Sequence, residues 1–148
     1  MRRYPQVPKR AKAFSPAGIS SFFQICDTEP NGKPITNPKR IGARGGGFAL
    51  KRGVWTEVEV AESNEKKVEV FINNKLAPET QTTRTVVDMC LEKVDESYSI
   101  RIRHSVEVPI GAGFGTSAGG ALGTALALNY ALNKSLTCSE LGRIAHVA

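Results

Sequence analysis

A short glycine-rich segment carries the residues best suited to chemistry in this chain of 148 residues. It consists of Pro109, Ile110, Gly111, Ala112, Gly113, Phe114, Gly115, Thr116, Ser117 and Ala118, and a helix-forming run of alanines and leucines follows. The first N–H groups of a helix lack intrahelical partners and lie at the positive end of its dipole, so they bind anions, and glycine lets an anion approach. The segment is therefore predicted to bind phosphate, and Thr116 or Ser117 can offer a hydroxyl to a phosphate or to Mg²⁺.

Two widespread phosphate-binding motifs do not fit this segment. The P-loop requires the pattern G-x-x-x-x-G-K-[ST], and no lysine lies between Lys93 and Lys134. The stretch Gly113 to Ala118 matches the G-x-G-x-x-A pattern of dinucleotide-binding proteins. That pattern needs a following strand with an acidic residue about 20 positions later, and here another helix is predicted instead. The spacing therefore favours neither motif.

A third phosphate motif matches closely. Pro109 to Ala118 resembles the P-x-x-x-G-L-G-S-S-A signature of the GHMP kinase superfamily, with Phe114 in place of leucine and Thr116 in place of the first serine. A second stretch, Ala13-Phe14-Ser15-Pro16-Ala17-Gly18-Ile19-Ser20, resembles the first motif of that family. The resemblance implies ATP and Mg²⁺ as cofactors, with residues 109–118 around the ATP phosphates and Ser117 as a metal ligand. It also implies that the first motif, with Ser15 and Ser20, shapes the site of the acceptor substrate.

Within the superfamily, the chain looks most like the archaeal pantoate kinases of coenzyme A biosynthesis. The likeness rests on Gly113-Phe114-Gly115 and on Ile19 to Phe23, although the usual P-G-H-I-[ST] reads Pro16-Ala17-Gly18-Ile19-Ser20 here. It implies transfer of the ATP γ-phosphate to a hydroxyl of pantoate, giving 4-phosphopantoate. The alternatives are another GHMP kinase, of the homoserine or mevalonate type, and a non-catalytic nucleic-acid-binding or scaffold domain, because these domains resemble the second domain of ribosomal protein S5.

Few other residues are candidates for the site. The stretch Gly42 to Gly47 is either a tight turn or a ligand-facing loop, and Arg44 within it can bind a substrate carboxylate with both arms of its guanidinium. His104 and His146 lie on apolar faces and are predicted core histidines. Thr82, Thr83 and Arg84 stand at a predicted helix start and are expected to cap that helix rather than to bind a ligand. No residue of the chain is a convincing general base.

Hydrophobic periodicity predicts the elements that position these residues. In order, we expect strands near Lys12 to Ser15 and at residues 22–25, a loop at 28–40, strands at 54–60 and 68–72 with a turn at Asn73-Asn74, a helix from Thr83 through Val94, a strand at 98–108, the helix after the glycine segment, and a helix that the Thr137 to Glu140 capping box starts. This order indicates an α+β fold. The resemblance implies the GHMP kinase N-terminal domain, which is ribosomal protein S5 domain 2-like, with a mixed or antiparallel sheet and helices on one face.

Charge and length narrow the remaining expectations. The net charge is +6, but five basic residues lie within the first 12 positions, and the other 15 basic and 14 acidic residues nearly cancel. We therefore predict a basic leader at residues 1–11 and no nucleic-acid partner. No apolar run suits a membrane span or signal peptide, so a cytoplasmic protein without a membrane partner is expected.

The last helix shows no stop signal before Ala148. Residues 12–148 are accordingly predicted to be an ATP-binding domain truncated before a C-terminal domain. Its partner is expected to be a small-molecule substrate, and relatives suggest a homodimer.

Overall fold

The computed structural model describes residues 9–92 and 97–148. Their elements are, in chain order, β1 (Lys9–Cys26), a 3₁₀ turn (Pro38–Arg40), β2 (Gly42–Glu62), β3 (Lys67–Ile72), β4 (Lys75–Leu76), α1 (Gln81–Leu91), β5 (Tyr98–Val106), α2 (Thr116–Ala131) and α3 (Cys138–Val147). The strands form one sheet in the order β1-β2-β5-β3-β4. β3 runs parallel to β5, and the other neighbouring strands are antiparallel. The mixed sheet and its helices confirm the predicted α+β class.

The core lies between one face of the sheet and the helices. Alternate residues of β2 and β5 are buried, among them Val58 and Ile102, because successive side chains of a strand point to opposite faces. α2 packs on this face through fully buried residues such as Leu128. α1 and α3 add further apolar side chains to the same cluster. The opposite face carries ion pairs, for example Arg101 to Glu69 at 2.9 Å.

The first two predicted strands are in fact one. β1 continues from Lys9 to Cys26 against β2, with irregularities in register between Pro16 and Gly18 and between Ser20 and Phe22. Pro16 lies within the strand because β1 is an edge strand, where the missing N–H of a proline is tolerated. The strand also starts before Lys12, within the predicted leader, of which residues 1–8 lie outside the described part of the chain.

The glycine stretch Gly42 to Gly47 forms a strand rather than a turn or a loop, and only Gly47 of the stretch lines a cavity beside the glycine segment. The stretch is the start of β2, and Gly45 and Gly47 pair with Phe23 and Ser20 of β1. A Cβ on Gly45 or Gly47 would overlap a backbone carbonyl oxygen of the neighbouring strand. Glycine is therefore needed for close approach, as the sequence indicated, but the approaching group is β1.

Most of the other predicted helices, strands and turns are confirmed, with shifted boundaries. Asn73 and Asn74 form the β3–β4 turn with φ values of 48° and 66°. α1 begins two residues earlier than predicted, while Val94 lies outside the described residues. Thr137 and Glu140 form the predicted capping box of α3. His146 is exposed rather than buried, and its Nε2 lies 2.8 Å from the carbonyl oxygen of Ile41. No helix of the described residues has the length and apolar character needed to cross a membrane.

Candidate functional site

The glycine segment forms a loop that ends at the first turn of α2. Gly111, Gly113 and Gly115 all have positive φ, at 77°, 81° and 68°. Residues with a side chain rarely adopt positive φ, so the path of the loop depends on the three alternating glycines. A Cβ at any of the three would meet no atom within 4 Å, which leaves the space over the loop backbone open. Gly115 is the N-cap of α2, and no side chain caps the helix. The first N–H groups of α2 are therefore available to an anion.

The two sequence motifs of the chain meet at this loop. The N–H of Gly18, in β1, donates to the carbonyl oxygen of Phe114 at 3.2 Å. One turn into α2, Gly119 brings the helix onto the sheet, because a Cβ at Gly119 would lie 3.1 Å from Val54 and 3.6 Å from the Ser15 hydroxyl. The fold thus joins stretches that are about 90 residues apart in sequence.

A cavity of about 420 Å³, the β1 cavity, lies between β1 and the loop. Its lining includes Ser15 and Ser20 from β1, Phe48 from β2, and Gly113 and Gly115 from the loop. Ser15 is only 5% exposed, and its hydroxyl makes no hydrogen bond within the described ranges. This hydroxyl is therefore free to bind a ligand in the cavity.

Arg44 is not brought to this cavity. It lies on the exposed part of β2, where it pairs with Gln24, and it lines neither of the cavities beside the loop. Ser15 and Ser20 thus meet one part of the loop, namely Gly113, Phe114, Gly115 and Ala118, around one space, whereas Arg44 lies apart.

A second cavity of about 300 Å³, the α1 cavity, lies on the other side of the α2 N-terminus. Ile110, Thr116 and Ser117 contribute from the loop and α2, and the segment Glu79 to Thr83 contributes from the start of α1. The sheet supplies four further lining residues, Val54, Ile72, His104 and Val106. The space thus has an apolar floor with polar groups at its rim. Sequence patterns did not predict the cavity, because it forms only when α1 and α2 pack side by side.

His104 is buried beneath this cavity and is hydrogen-bonded at both ring nitrogens. Nδ1 lies 2.9 Å from the hydroxyl of Thr56, and Nε2 lies 3.2 Å from the hydroxyl of Thr83. Burial lowers the pKa of His104 from 6.5 to about 4, because the charged form loses its hydration. The imidazole is therefore neutral near pH 7, which confirms the predicted core histidine. Thr83, which was predicted to cap α1, uses its hydroxyl for this contact instead.

The electrostatics of the loop rest on the backbone. The described residues that line the two cavities include no lysine or arginine. Phosphate oxygens would be held by loop amides and the dipole of α2, which suits the open space over the glycines. For Mg²⁺ the loop offers the exposed hydroxyl of Ser117, and Glu79 lines the same cavity. Mg²⁺ usually keeps waters and takes phosphate oxygens beside one or two protein ligands, so this sparse donor set fits the ion. Across the described ranges, no group of three or more histidine, cysteine or acidic side chains could hold a metal.

Comparison with known proteins identifies sequences similar to this chain. Residues 81–148 match the GHMP kinases N terminal domain. The pantoate kinase of Thermococcus kodakarensis is 33% identical over 141 residues, which are 93% of this chain and 43% of that protein. The pantoate kinase of Methanocaldococcus jannaschii is also 33% identical, over 90% of this chain and 44% of its own length. The chain thus spans less than half the length of these curated relatives.

Solved structures with a similar fold include two phosphate-transferring enzymes. A phosphotransferase related to the CoA biosynthesis pathway superposes with a TM-score of 0.78 at 32% identity, covering 93% of this chain and 45% of that one. The homoserine kinase of Cytophaga hutchinsonii shares the fold, with a TM-score of 0.61 at 18% identity over 98% of this chain and 42% of its own. Residues 81–148 thus match the N-terminal domain of the GHMP kinases, and nearly the whole chain is similar to a portion of the pantoate kinases and of the phosphotransferase. The pantoate kinases are 31–33% identical to the chain, whereas the homoserine kinase is 18% identical.

Proposed function

We propose that this chain is the phosphate-binding portion of an ATP-dependent kinase that phosphorylates a hydroxyl of a small molecule, with pantoate as the acceptor. The observation that carries the proposal is the hydrogen bond from Gly18 to Phe114. It holds the later part of the stretch Ala13 to Ser20, the proposed acceptor motif, against the glycine loop. A phosphate on the loop and a ligand beside Ser15 would consequently be neighbours in the β1 cavity.

The two cavities suit the two substrates of such a reaction. The α1 cavity has an apolar floor made by residues such as Ile72 and Val106, which suits the flat face of a purine. The β1 cavity presents the hydroxyls of Ser15 and Ser20, which suit a polar hydroxy acid. The start of α2 separates them, so a nucleotide in the α1 cavity would direct its phosphates across the helix N-terminus toward the acceptor.

The chemistry asks the protein chiefly for orientation and charge stabilisation. A hydroxyl oxygen of the acceptor attacks the γ-phosphorus, the bond to the β-phosphate oxygen breaks, ADP leaves, and the hydroxyl proton passes to solvent or to a base. The loop amides would hold the phosphate oxygens as charge moves toward the leaving group. When bound, Mg²⁺ would neutralise phosphate charge, with Ser117 among its ligands. We propose that the chain alone binds nucleotide weakly and turns over little.

The phosphate-loop claim is tested by replacing Gly113 with alanine and titrating Mg-ATP by calorimetry. A Cβ at Gly113 would project into the open space where phosphate is expected, so we predict a loss of affinity of about tenfold or more. The matched control is Gly32→Ala. Gly32 has a φ of 80°, close to the 81° of Gly113, and equally open surroundings, but it lies in the loop before β2.

Both variants should lose similar stability, since each forces a side chain into the left-handed region at a cost of about 1–2 kcal/mol. Only Gly113→Ala should lose affinity for ATP. Equal affinity of the two variants for Mg-ATP would show that the loop does not bind the phosphates.

The acceptor is tested by following ADP release with pantoate, homoserine and mevalonate. The assay uses this chain alone and this chain fused to the remaining portion of the Thermococcus kodakarensis pantoate kinase. We expect turnover with pantoate in the fused protein and little turnover with the chain alone. Preferential phosphorylation of homoserine or mevalonate contradicts the proposed acceptor but leaves the kinase assignment intact.

A further inference from the structure

The contacts of His104 connect three elements of the fold. Thr56 lies in β2, His104 in β5 and Thr83 in the first turn of α1, and their relative exposures are 0%, 4% and 5%. A neutral imidazole has one N–H donor and one acceptor nitrogen, and a hydroxyl can serve either. Both nitrogens are therefore satisfied in one geometry, with a threonine on each side.

α2 rests directly on this group of three residues. A Cβ at Gly120 would lie 3.5 Å from Cε1 of His104, and a Cβ at Gly123 would lie 2.5 Å from the hydroxyl of Thr56. The glycines let the helix backbone approach the polar side chains without an intervening side chain. His104 and Thr56, together with Val54 beneath Gly119, therefore lie directly under α2 and limit how closely the helix approaches the sheet.

Thr83 links α1 to the same histidine. Its bond to Nε2 of His104 joins the first turn of α1 to β5, and Thr83 and the residues from Glu79 to Thr82 line the α1 cavity. Thr116 and Ser117, at the start of α2, line the same cavity. The buried side chain of His104 thus contacts both helices that line the cavity, α1 through Thr83 and α2 at Gly120.

We propose that His104 is a positioning residue for nucleotide binding. Through Thr83 it fixes the first turn of α1 relative to the N-terminus of α2, and so sets the width of the α1 cavity for the nucleoside part of the nucleotide. The inference rests on the proposed function, because it assumes that a nucleotide occupies the α1 cavity while its phosphates lie on the loop. It predicts that breaking the link weakens nucleoside recognition and leaves phosphate binding intact.

The test is the isosteric variant Thr83→Val, which keeps the shape of the side chain and removes the hydroxyl. The matched control is Thr124→Val, because Thr124 is also fully buried but its hydroxyl donates only to the carbonyl oxygen of Gly120 in its own helix, at 2.8 Å. Calorimetry with Mg-ATP and with Mg-tripolyphosphate, which lacks the nucleoside, separates the two parts of the site.

We expect Thr83→Val to weaken Mg-ATP binding by about fivefold or more, the loss of roughly one hydrogen bond, with tripolyphosphate unchanged within about twofold. Thr124→Val should bind both ligands as the wild type does, and Thr83→Ser should restore ATP affinity. If Thr83→Val does not fold, Thr83→Ala removes the same hydroxyl and takes its place.

Two results overturn the inference and leave the proposed function standing. One is an unchanged ATP affinity in the Thr83 variant. The other is an equal loss of ATP and tripolyphosphate affinity, which would indicate general loosening of the domain. A wild-type chain that binds neither ligand refutes the proposed function itself, and the role of His104 falls with it.

Discussion

The close seating of α2 on the sheet can be tested by a single methyl group. Replacing glycine by alanine inside a helix normally stabilises it by about 1 kcal/mol, because alanine has the higher helix propensity. At Gly123 the new Cβ would lie 2.5 Å from Oγ1 and 3.0 Å from Cβ of Thr56. Ordinary contacts are about 3.5–4.0 Å, so either α2 or Thr56 must move by roughly 1 Å.

Thr56 has little freedom to move away. It is fully buried, and its hydroxyl is bonded to Nδ1 of His104 at 2.9 Å. Overpacking of a rigid core costs about 1–3 kcal/mol, and subtracting the gain in propensity leaves Gly123→Ala destabilised by up to about 2 kcal/mol. The same substitution at Gly142, in α3, meets no atom within 4 Å and should stabilise the chain by about 0.5–1 kcal/mol.

Urea unfolding followed by circular dichroism measures both variants on one scale. The two substitutions are chemically identical, both are in helices, and we expect opposite signs of the change in unfolding free energy. Stabilisation by Gly123→Ala as large as that by Gly142→Ala would refute the claim that α2 is seated directly on Thr56. The inference about His104 would then lose its structural basis as well.

Two further predictions concern stability alone. The pKa of His104 is about 4 in the folded chain and 6.5 in the unfolded chain, so the unfolded chain binds the proton more readily. The contribution of His104 to the free energy of unfolding is therefore complete above pH 6.5 and falls as the pH drops toward 4. At pH 4 the free energy of unfolding is lower by about 3 kcal/mol. Urea unfolding at pH 7 and pH 4 should show this loss in the wild type and a smaller one in His104→Asn, and equal losses would contradict it. Removing the capping hydroxyl by Thr137→Ala should cost about 0.5–2 kcal/mol, because Oγ1 of Thr137 accepts from the N–H of Glu140 at 3.3 Å. Mg-ATP affinity should stay unchanged in that variant, and an unfolding free energy equal to that of the wild type would show that the cap contributes nothing.

The elements with strong periodicity were predictable from sequence. β5 alternates cleanly, with Ile100 and Ile102 buried and Arg101 exposed, and the alternation alone identifies its inner face. The capping box of α3 was equally legible, because Thr137 and Glu140 stand at the required spacing. Local patterns of this kind need no knowledge of the rest of the fold.

The sequence predictions were wrong where a glycine or proline is explained by its pairing with a strand that is distant in sequence. Gly45 and Gly47 look like turn residues in sequence, but their lack of a Cβ is required by the carbonyl groups of β1, about 25 residues away. Pro16 looks like a break, but an edge strand has a side on which a missing N–H costs nothing. Whether such a residue marks a turn or lies within a paired strand depends on tertiary pairing, which hydrophobic periodicity does not reveal.

The candidate site shows the same division. The glycine loop and the motif around Ser15 were visible as strings, whereas their joining through Gly18 and Phe114 and the presence of the α1 cavity were not. The one available signal was the placement of Gly119, Gly120 and Gly123 within a helix, where glycine is unfavourable. Three such residues on a helix that continues the phosphate loop indicate a close backbone approach near the site.

The lack of basic side chains around the loop has a consequence for how the site would work. Backbone amides and a helix dipole contribute about 0.3–2 kcal/mol toward an anion, which is small against the charge of a triphosphate. With no lysine or arginine among the described lining residues, the remaining neutralisation would fall to Mg²⁺. On the proposed function, the glycines of the loop would mainly orient the phosphates toward the acceptor, and Mg²⁺ would neutralise part of their charge. On this argument, ATP without Mg²⁺ should bind the chain far more weakly than Mg-ATP, and tripolyphosphate should show the same dependence on the metal.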